Sequence, residues 1–324
     1  MNRRAFLATL AGGLLAAPLA AEAQQARVYR VGVILQGGPY FQAVDGLREG
    51  LRELGLEEGK QIILLVRDAK GDLKAVEAAA RELEQDRVDL IYTVTTSVTV
   101  ATKRVTKSVP IVFYAGADPV AQGLVESYRK PGGRLTGVHT QLTDLTPKRL
   151  ELLKEMVPKA HRVVAFYTPH NPAAQQSVQF ARDAARKLRV ELVERRVDSV
   201  EGLRASLRAL RPREVDAFLY VSDAMVSSQA AVIIETAREK RLPTIFPEPA
   251  SVVSGALASY GIDYRAAGRF SAKLVQRVLL GANPADMPIE QFDTFHFAIN
   301  LKTAKALGLT IPPSLLQRAD QVIE

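Results

Sequence analysis

The sequence predicts an α/β protein of two doubly wound parallel-sheet lobes joined by a multi-strand hinge. Three observations carry this. Short apolar, β-branched runs alternate with stripes of helical period, the pattern of buried parallel strands linked by helical crossovers. The pattern then repeats. Asp89-Leu90-Ile91-Tyr92-Thr93-Val94 and Val109-Pro110-Ile111-Val112-Phe113 have counterparts in Asp216-Ala217-Phe218-Leu219-Tyr220-Val221 and Leu242-Pro243-Thr244-Ile245-Phe246. Beyond residue 256 no third unit starts, so the chain is expected to return between the lobes, and a hinge of several strands suits rigid closure around a ligand.

The elements follow in order. Val28 to Leu35 is the first strand, broken by Gln36-Gly37-Gly38-Pro39. Phe41, Val44, Leu47, Leu51 and Leu54 then form one helical stripe, ended by Gly55. Gln61 to Arg67 is the second strand, and Asp72 caps a helix carrying Leu73, Val76, Ala80 and Leu83. The strands near residues 89–94 and 109–114 flank a helix from Val98 to Lys107, and Leu135 to Val138 is a short strand after the turn Pro131-Gly132-Gly133. In the second unit Arg162 to Tyr167 is a strand and Asn171 caps a helix to Leu188. Val190 to Val197 is the next strand, and Ser199 caps a helix to Leu210. In the tail, Ala256 to Tyr260 and Thr294 to Ile299 are strands, Asp263-Tyr264 opens a helix to Leu280, and a last helix lies near Ser314. The lobes are expected over residues 24–138 plus about 264–290, and 139–263 plus about 291–324.

The amino terminus reads as an export signal over residues 1–23. Asn2-Arg3-Arg4 precedes an Ala/Leu/Gly stretch, and Ala21-Glu22-Ala23 fits the small-x-small cleavage pattern. Arg3-Arg4-Ala5-Phe6-Leu7 also resembles the twin-arginine motif. The mature protein is therefore expected in the periplasm. Of 324 residues none is Cys, which excludes thiol catalysis, Cys-based zinc sites, disulfides and a lipoprotein anchor. The net charge of +8 is spread along the helices without a long run, so it reads as a solvated surface and not as a nucleic-acid footprint.

Enzyme motifs are absent. Gly55-Leu56-Glu57-Glu58-Gly59-Lys60 has the wrong spacing for a phosphate loop, Gln36-Gly37-Gly38 lacks the dinucleotide pattern, and no G-x-S-x-G elbow occurs. His139, His161, His170 and His296 show no metal spacing. No catalytic residue, metal or cofactor is expected.

The chemistry-bearing candidates are the loops beyond strand ends, where open parallel sheets bind ligands. In the first lobe these are Gln36, Gly37 and Tyr40, the run Thr95, Thr96 and Ser97, and the small residues Ala115 and Ala117. In the second they are Tyr167 and Asn171, Ser222 and Asp223, with Tyr260 and Asp263 near the hinge. Each has two readings. Thr95-Thr96-Ser97 is a helix cap or a donor cluster for an anion at a helix start. Ser222 and Asp223 cap a helix or touch a ligand, and Asp263 is a cap or the counter-charge of an amine. The aromatic residues near strand ends fill the core or sandwich an apolar group.

Several stretches together resemble the ABC-transporter substrate-binding family that includes the tryptophan- and tyrosine-binding proteins. They are Ile111-Val112-Phe113 before Asp118-Pro119-Val120, Pro131-Gly132-Gly133 with Thr136-Gly137, and Val215-Asp216-Ala217. Gly255-Ala256-Leu257-Ala258 through Asp263-Tyr264 with Gly268, and Ile299-Asn300-Leu301-Lys302 with Ala304 and Leu307-Gly308, complete the set. The resemblance implies a type I periplasmic-binding fold. It also implies non-covalent capture of a small solute, for which an amino acid with an aromatic or apolar side chain is the expectation, and closure of the lobes on it. The implied partners are an ABC permease and its ATPase, with no nucleic acid and no membrane contact except through the permease. By the same resemblance Thr96, Ser97, Ala115 and Ala117 would hold a carboxylate, and Asp223 or Asp263 an amine. An exported α/β enzyme using the same cleft is the competing expectation.

Overall fold

The computed structural model describes residues 27–324, so the export-signal reading of residues 1–23 lies outside the described residues. The chain first lays down five strands, β1 (Tyr29–Leu35), β2 (Ile62–Asp68), β3 (Leu90–Val94), β4 (Ile111–Ala115) and β5 (Leu135–His139). It crosses to a second sheet for β6 (Arg162–Tyr167), β7 (Glu191–Arg196), β8 (Ala217–Leu219), β9 (Thr244–Phe246) and β10 (Ala258–Ile262). It then returns: β11 (Glu290–Gln291) joins the first sheet, while β12 (Phe295–Asn300) and β13 (Gln321–Ile323) join the second. The strand orders are β11-β5-β4-β3-β1-β2 and β13-β12-β10-β9-β8-β6-β7. Every pair is parallel except β10 with β12. This is the two-lobe α/β architecture expected from the sequence.

The order of each sheet reverses once, at β1/β3 in the first and at β6/β8 in the second. Crossover helices leave for opposite faces there and open a crevice at the carboxyl ends of the strands. The loops at 36–40, 95–97, 167–171 and 220–223 are therefore brought to the two walls of one cleft by topology alone. β3 and β4 are buried along their whole length, as strands covered on both faces must be.

Local signals act as read. Asp72, Asn171 and Ser199 each accept backbone N–H bonds at helix starts. Several elements escaped the sequence reading, among them β11, the short helix Pro249–Val253, a longer helix and β13. The helix Thr146–Met156 buries Arg149 beside Leu150, Leu152, Leu153 and Met156, and a charged residue on the buried face breaks the apolar stripe that would announce it. β13 is a three-residue, partly exposed edge strand, too short for a period.

The returning helix Tyr264–Leu279 packs on Phe41–Glu53 of the first lobe with the backbones nearly touching. A Cβ at Gly46 would lie 1.8 Å from the Arg265 carbonyl oxygen, and one at Gly268 would lie 1.9 Å from that of Ala43. Arg265 pairs with Glu49, and Arg269 with Glu53, along the rim of the contact. In an open helix, Gly→Ala gains roughly 0.5–1 kcal/mol. At Gly46 the clash reverses the sign, and Gly46→Ala should lower stability by about 1–3 kcal/mol through overpacking. A urea midpoint at or above the parent's would show that the helices separate without cost.

Candidate functional site

Between the strand ends lies a tight cavity, about 370 Å³ of space between atoms, of which about 30 Å³ admits the centre of a water-sized sphere. From the first lobe it is lined by Tyr40, Thr95, Thr96, Ser97, Tyr114 and Gly116, with Tyr264 from the returning helix. From the second lobe come Asn171, Ala173, Tyr220, Ser222 and Ala224, and Leu142 of the connecting segment closes one side. A polar chamber of about 1400 Å³ adjoins it and shares Ser97 and Asn171. Gln36, Lys70, Asp72, Arg204 and Asp223 are among its walls.

Four tyrosines dominate the inner cavity. Tyr264 meets Tyr40 edge-on at 5.1 Å between ring centroids and Tyr114 at 6.0 Å. All four, with Tyr220, are buried, and burial pushes each phenol above its ordinary value. They stay neutral hydroxyls at physiological pH.

The hydroxyl run at the start of helix Thr96–Val105 is tied together. Thr95 has φ of 92° with ψ of 154°, a region that costs a non-glycine residue of order 1–3 kcal/mol. It is held there by its N–H to the Tyr114 carbonyl, 2.9 Å, and its hydroxyl accepts from the Val98 N–H. Ser97 Oγ donates to Gln36 Oε1 at 3.2 Å. Thr96 Oγ1 accepts from the N–H groups of Gly116 and Ala117 at 3.1 and 3.2 Å. Its own proton is left to donate elsewhere.

The expected residues therefore separate. Tyr40, Thr95, Thr96, Ser97, Asn171 and Ser222 line the inner cavity, and Gln36 and Asp223 the outer chamber. Ala115 and Ala117 do not line either. Ala115 is inside β4, and the Ala117 N–H is taken by Thr96; Gly116 between them is the residue that reaches the cavity. Gly37 sits under Asp68, where its φ of 81° turns the chain. Tyr167 faces away, its hydroxyl donating to Glu194 at 2.9 Å. The ring of Tyr260 packs on Phe297, 6.3 Å between centroids. Asp263 spends one carboxylate oxygen on the N–H groups of Arg265 and Ala266 and lies outside the lining. Asp223 is fully engaged: Oδ1 accepts from Met225 and Val226, and Oδ2 from Thr168. Asp223 is thus saturated by backbone donors, while Asp263 keeps its second carboxylate oxygen outside the bonds of its cap.

Two charged residues behind the cavity were not foreseen. Arg149 is wholly buried, donating from Nε to the Tyr260 carbonyl and from Nη2 to that of Leu142, both at 2.9 Å. Its guanidinium stands 5.7 Å from the centre of the Tyr220 ring. Burial pulls it down to about 10, so it stays charged at neutral pH. Glu248, just after β9, is 1% exposed. Its Oε1 accepts from the Ser251 hydroxyl, and its Oε2 has no partner among the described residues. Burial pushes the Glu248 carboxyl up to about 7, against the pull of the Ser251 hydroxyl and Arg149. Arg149 makes no ion pair among the described residues, so both charges are desolvated without direct contact. Arg149 sits among other charged residues of a helix, beside Lys148 and Glu151, and Glu248 stands between two prolines, so neither carries a sequence sign of its burial.

The cleft is narrow. A Cβ on Gly38 would lie 2.9 Å from the Ser228 Cα, and one on Gly71 would lie 2.8 Å from a Val200 methyl, each across the lobes. Among the described residues no cluster of three His, Asp or Glu fit for a metal is found, and no helix is long and apolar enough to cross a membrane.

Two sheets hinged by three chain crossings, with a lined cavity between strand ends, define the class of two-lobed ligand-binding proteins. The chain belongs to the ABC transporter substrate binding protein family, whose family model matches residues 29–323. It is 31% identical over 268 residues to the tyrosine-binding protein of Clostridioides difficile (strain R20291), covering 83% of this chain and 77% of that one. Among solved structures, the ABC domain in complex with L-Trp from Streptococcus pneumonia is 27% identical. It covers 91% of this chain and all of that one, with a TM-score of 0.81. The ligand-free, open structure of a substrate binding protein with adhesive properties from Clostridium difficile is 26% identical. It covers 91% of this chain and 99% of that one, with a TM-score of 0.60.

Two expectations follow from the geometry. Thr96→Val strips the acceptor from two backbone N–H groups, so the ligand-free protein should lose about 1–3 kcal/mol in urea unfolding; an unchanged midpoint would mean those groups find another acceptor. The second concerns pH. Glutamate in an unfolded chain titrates near ~4.3, whereas Glu248 in the fold is pushed up to about 7. Between these values the folded chain keeps a proton that the unfolded chain has lost, so stability falls as pH rises through about 7. Asp223, also held above its ordinary value by burial, acts in the same direction. The melting temperature of the ligand-free protein should fall from pH 5 to pH 8, and fall less in Glu248→Gln; parallel slopes would clear Glu248 of this role.

Proposed function

We propose that the chain is the extracytoplasmic receptor of an ABC importer and holds an amino acid with an aromatic or apolar side chain in the inner cavity. The observation that carries this is the pairing of four tyrosines with a donor cluster at a helix start. Tyr40, Tyr114, Tyr220 and Tyr264 offer apolar faces to a side chain. Thr96, Ser97 and the free end of helix Thr96–Val105 offer donors to a carboxylate. Asn171 and Ser222 face them from the other lobe, the Ser222 hydroxyl without a partner.

The relatives support the ligand class, since one is named for tyrosine and a solved one carries L-Trp. The whole chain also superposes better on the L-Trp complex, with a TM-score of 0.81, than on the ligand-free, open relative, with 0.60, at nearly equal identity. Binding is non-covalent, closure follows it, and the closed form is what the permease and its ATPase receive. The signal-like residues 1–23 and the absence of cysteine support a periplasmic, non-lipidated receptor. No arrangement of residues at the cavity favours turnover.

A thermal-shift series over the twenty amino acids tests this. Ligand at one hundred times its dissociation constant adds about 2.7 kcal/mol of apparent stability, so aromatic or large apolar amino acids should raise the melting temperature by several degrees. They should be recovered unchanged by mass spectrometry. A series with no shift, or conversion of the ligand, would end this reading.

A further inference from the structure

We propose that the outer chamber is a second subsite of the same cleft, and that the amino acid held in the inner cavity is the first residue of a dipeptide whose second residue lies in the chamber. This rests on the functional reading above and deepens it, because it names what is joined to the carboxyl carbon of the captured amino acid.

The chamber opens where that carbon would stand. Ser97 and Asn171 line both spaces, and Ser97 is one of the donors for the carboxyl group. A site for a small ligand encloses most of the ligand's surface. The inner cavity is tight, yet the chamber keeps about 660 Å³ that admits the centre of a water-sized sphere, against about 30 Å³ in the inner cavity. This room does not come from lobes standing apart. Gly71 and Val200 both line the chamber, one from each lobe, and a Cβ on Gly71 would lie 2.8 Å from a Val200 methyl. A free amino acid would leave its carboxylate facing unfilled space here, whereas a second residue in amide linkage would fill it.

The walls suit a peptide. Gln36 stands at the junction and is 1% exposed. Its Oε1 takes the Ser97 hydroxyl proton at 3.2 Å. Its Nε2 has no partner among the described residues. An amide nitrogen is a donor only, so it calls for an oxygen, which the second residue would bring. The chamber carries both signs of charge, with Lys70, Lys74 and Arg204 beside Asp72, Asp198 and Glu201. An apolar tail would desolvate these groups, and a polyanion would meet the three acids. A polar residue ending in one carboxylate finds donors and acceptors together. Helices Leu73–Gln85 and Val200–Ala209 begin on this wall, one from each lobe, and their starts favour that carboxylate. The second residue would thus touch both lobes and add its own contacts to closure.

The test compares free amino acids with dipeptides in both orders. Calorimetry sets L-tyrosine against L-tyrosyl-L-serine and L-seryl-L-tyrosine, and L-tryptophan against L-tryptophyl-L-serine and L-seryl-L-tryptophan. The dipeptide with the aromatic residue first should bind about tenfold or more tighter than the amino acid and the reversed dipeptide. Leu73 lines the chamber and not the inner cavity. Leu73→Trp should therefore bring the dipeptide down to the affinity of the amino acid and leave the amino acid as in the parent. Gln36→Met, which keeps the length and deletes the amide, should weaken the dipeptide about twofold to tenfold more than the amino acid, the range of a neutral hydrogen bond. If Gln36→Met does not fold, Leu73→Trp carries the test. A dipeptide no tighter than the amino acid, a reversed dipeptide that binds equally well, or a dipeptide preference that survives Leu73→Trp overturns the subsite. The functional reading then stands, and the chamber holds water only. A parent that binds neither amino acids nor dipeptides overturns both.

Discussion

The contact on which the molecule depends is the crossing of helices Phe41–Glu53 and Tyr264–Leu279. Gly46, Gly50 and Gly268 let the two backbones meet without side chains between them. The second helix reaches this place only after the chain has built most of the other lobe, so the crossing fastens the lobes through covalent geometry. It also sets the site. Tyr40 immediately precedes one helix and Tyr264 begins the other, and their rings meet at 5.1 Å because the helix axes are so close. Packing in the first lobe thereby determines the aromatic wall of the cavity.

Electrostatics supplies the second constraint. The inner cavity is walled by neutral phenols, backbone and hydroxyls, while the two formal charges near it, Arg149 and Glu248, are buried without touching. Such an arrangement is unfavourable to folding taken alone. It is the kind of local conflict expected where a binding site is pre-organised for a charged guest. The strained backbone of Thr95, held by the Tyr114 carbonyl, belongs to the same category.

Much of the fold was legible because its causes are local. Period and β-branching mark the strands, and Asp72, Asn171 and Ser199 mark helix starts through bonds to neighbours two or three residues on. The loops that form the cleft were legible too, since topology brings strand ends together. The division of labour within those loops was not. Asp223 and Asp263 carry the same local capping signal whether or not a ligand is near, and only the count of bonds on each oxygen separates the uses. Ala115 ends β4, and Gly116 just beyond it is the residue that lines the cavity, a difference of one position that composition does not mark. Arg149 reaches the Tyr260 carbonyl, more than a hundred residues on, and Glu248 Oε2 has no partner among the described residues; a single sequence holds no trace of either.

The bare apposition of Gly38 and Ser228 at the cleft mouth has a consequence for how affinity can be tuned. The two lobes touch there through main chain, in the same short turn that carries Tyr40 of the aromatic wall. A side chain at residue 38 would act as a doorstop against the main chain of Ser228. Apparent affinity scales with the population of the competent form. In a receptor that closes on its ligand, the grip would thus be adjustable at the lip.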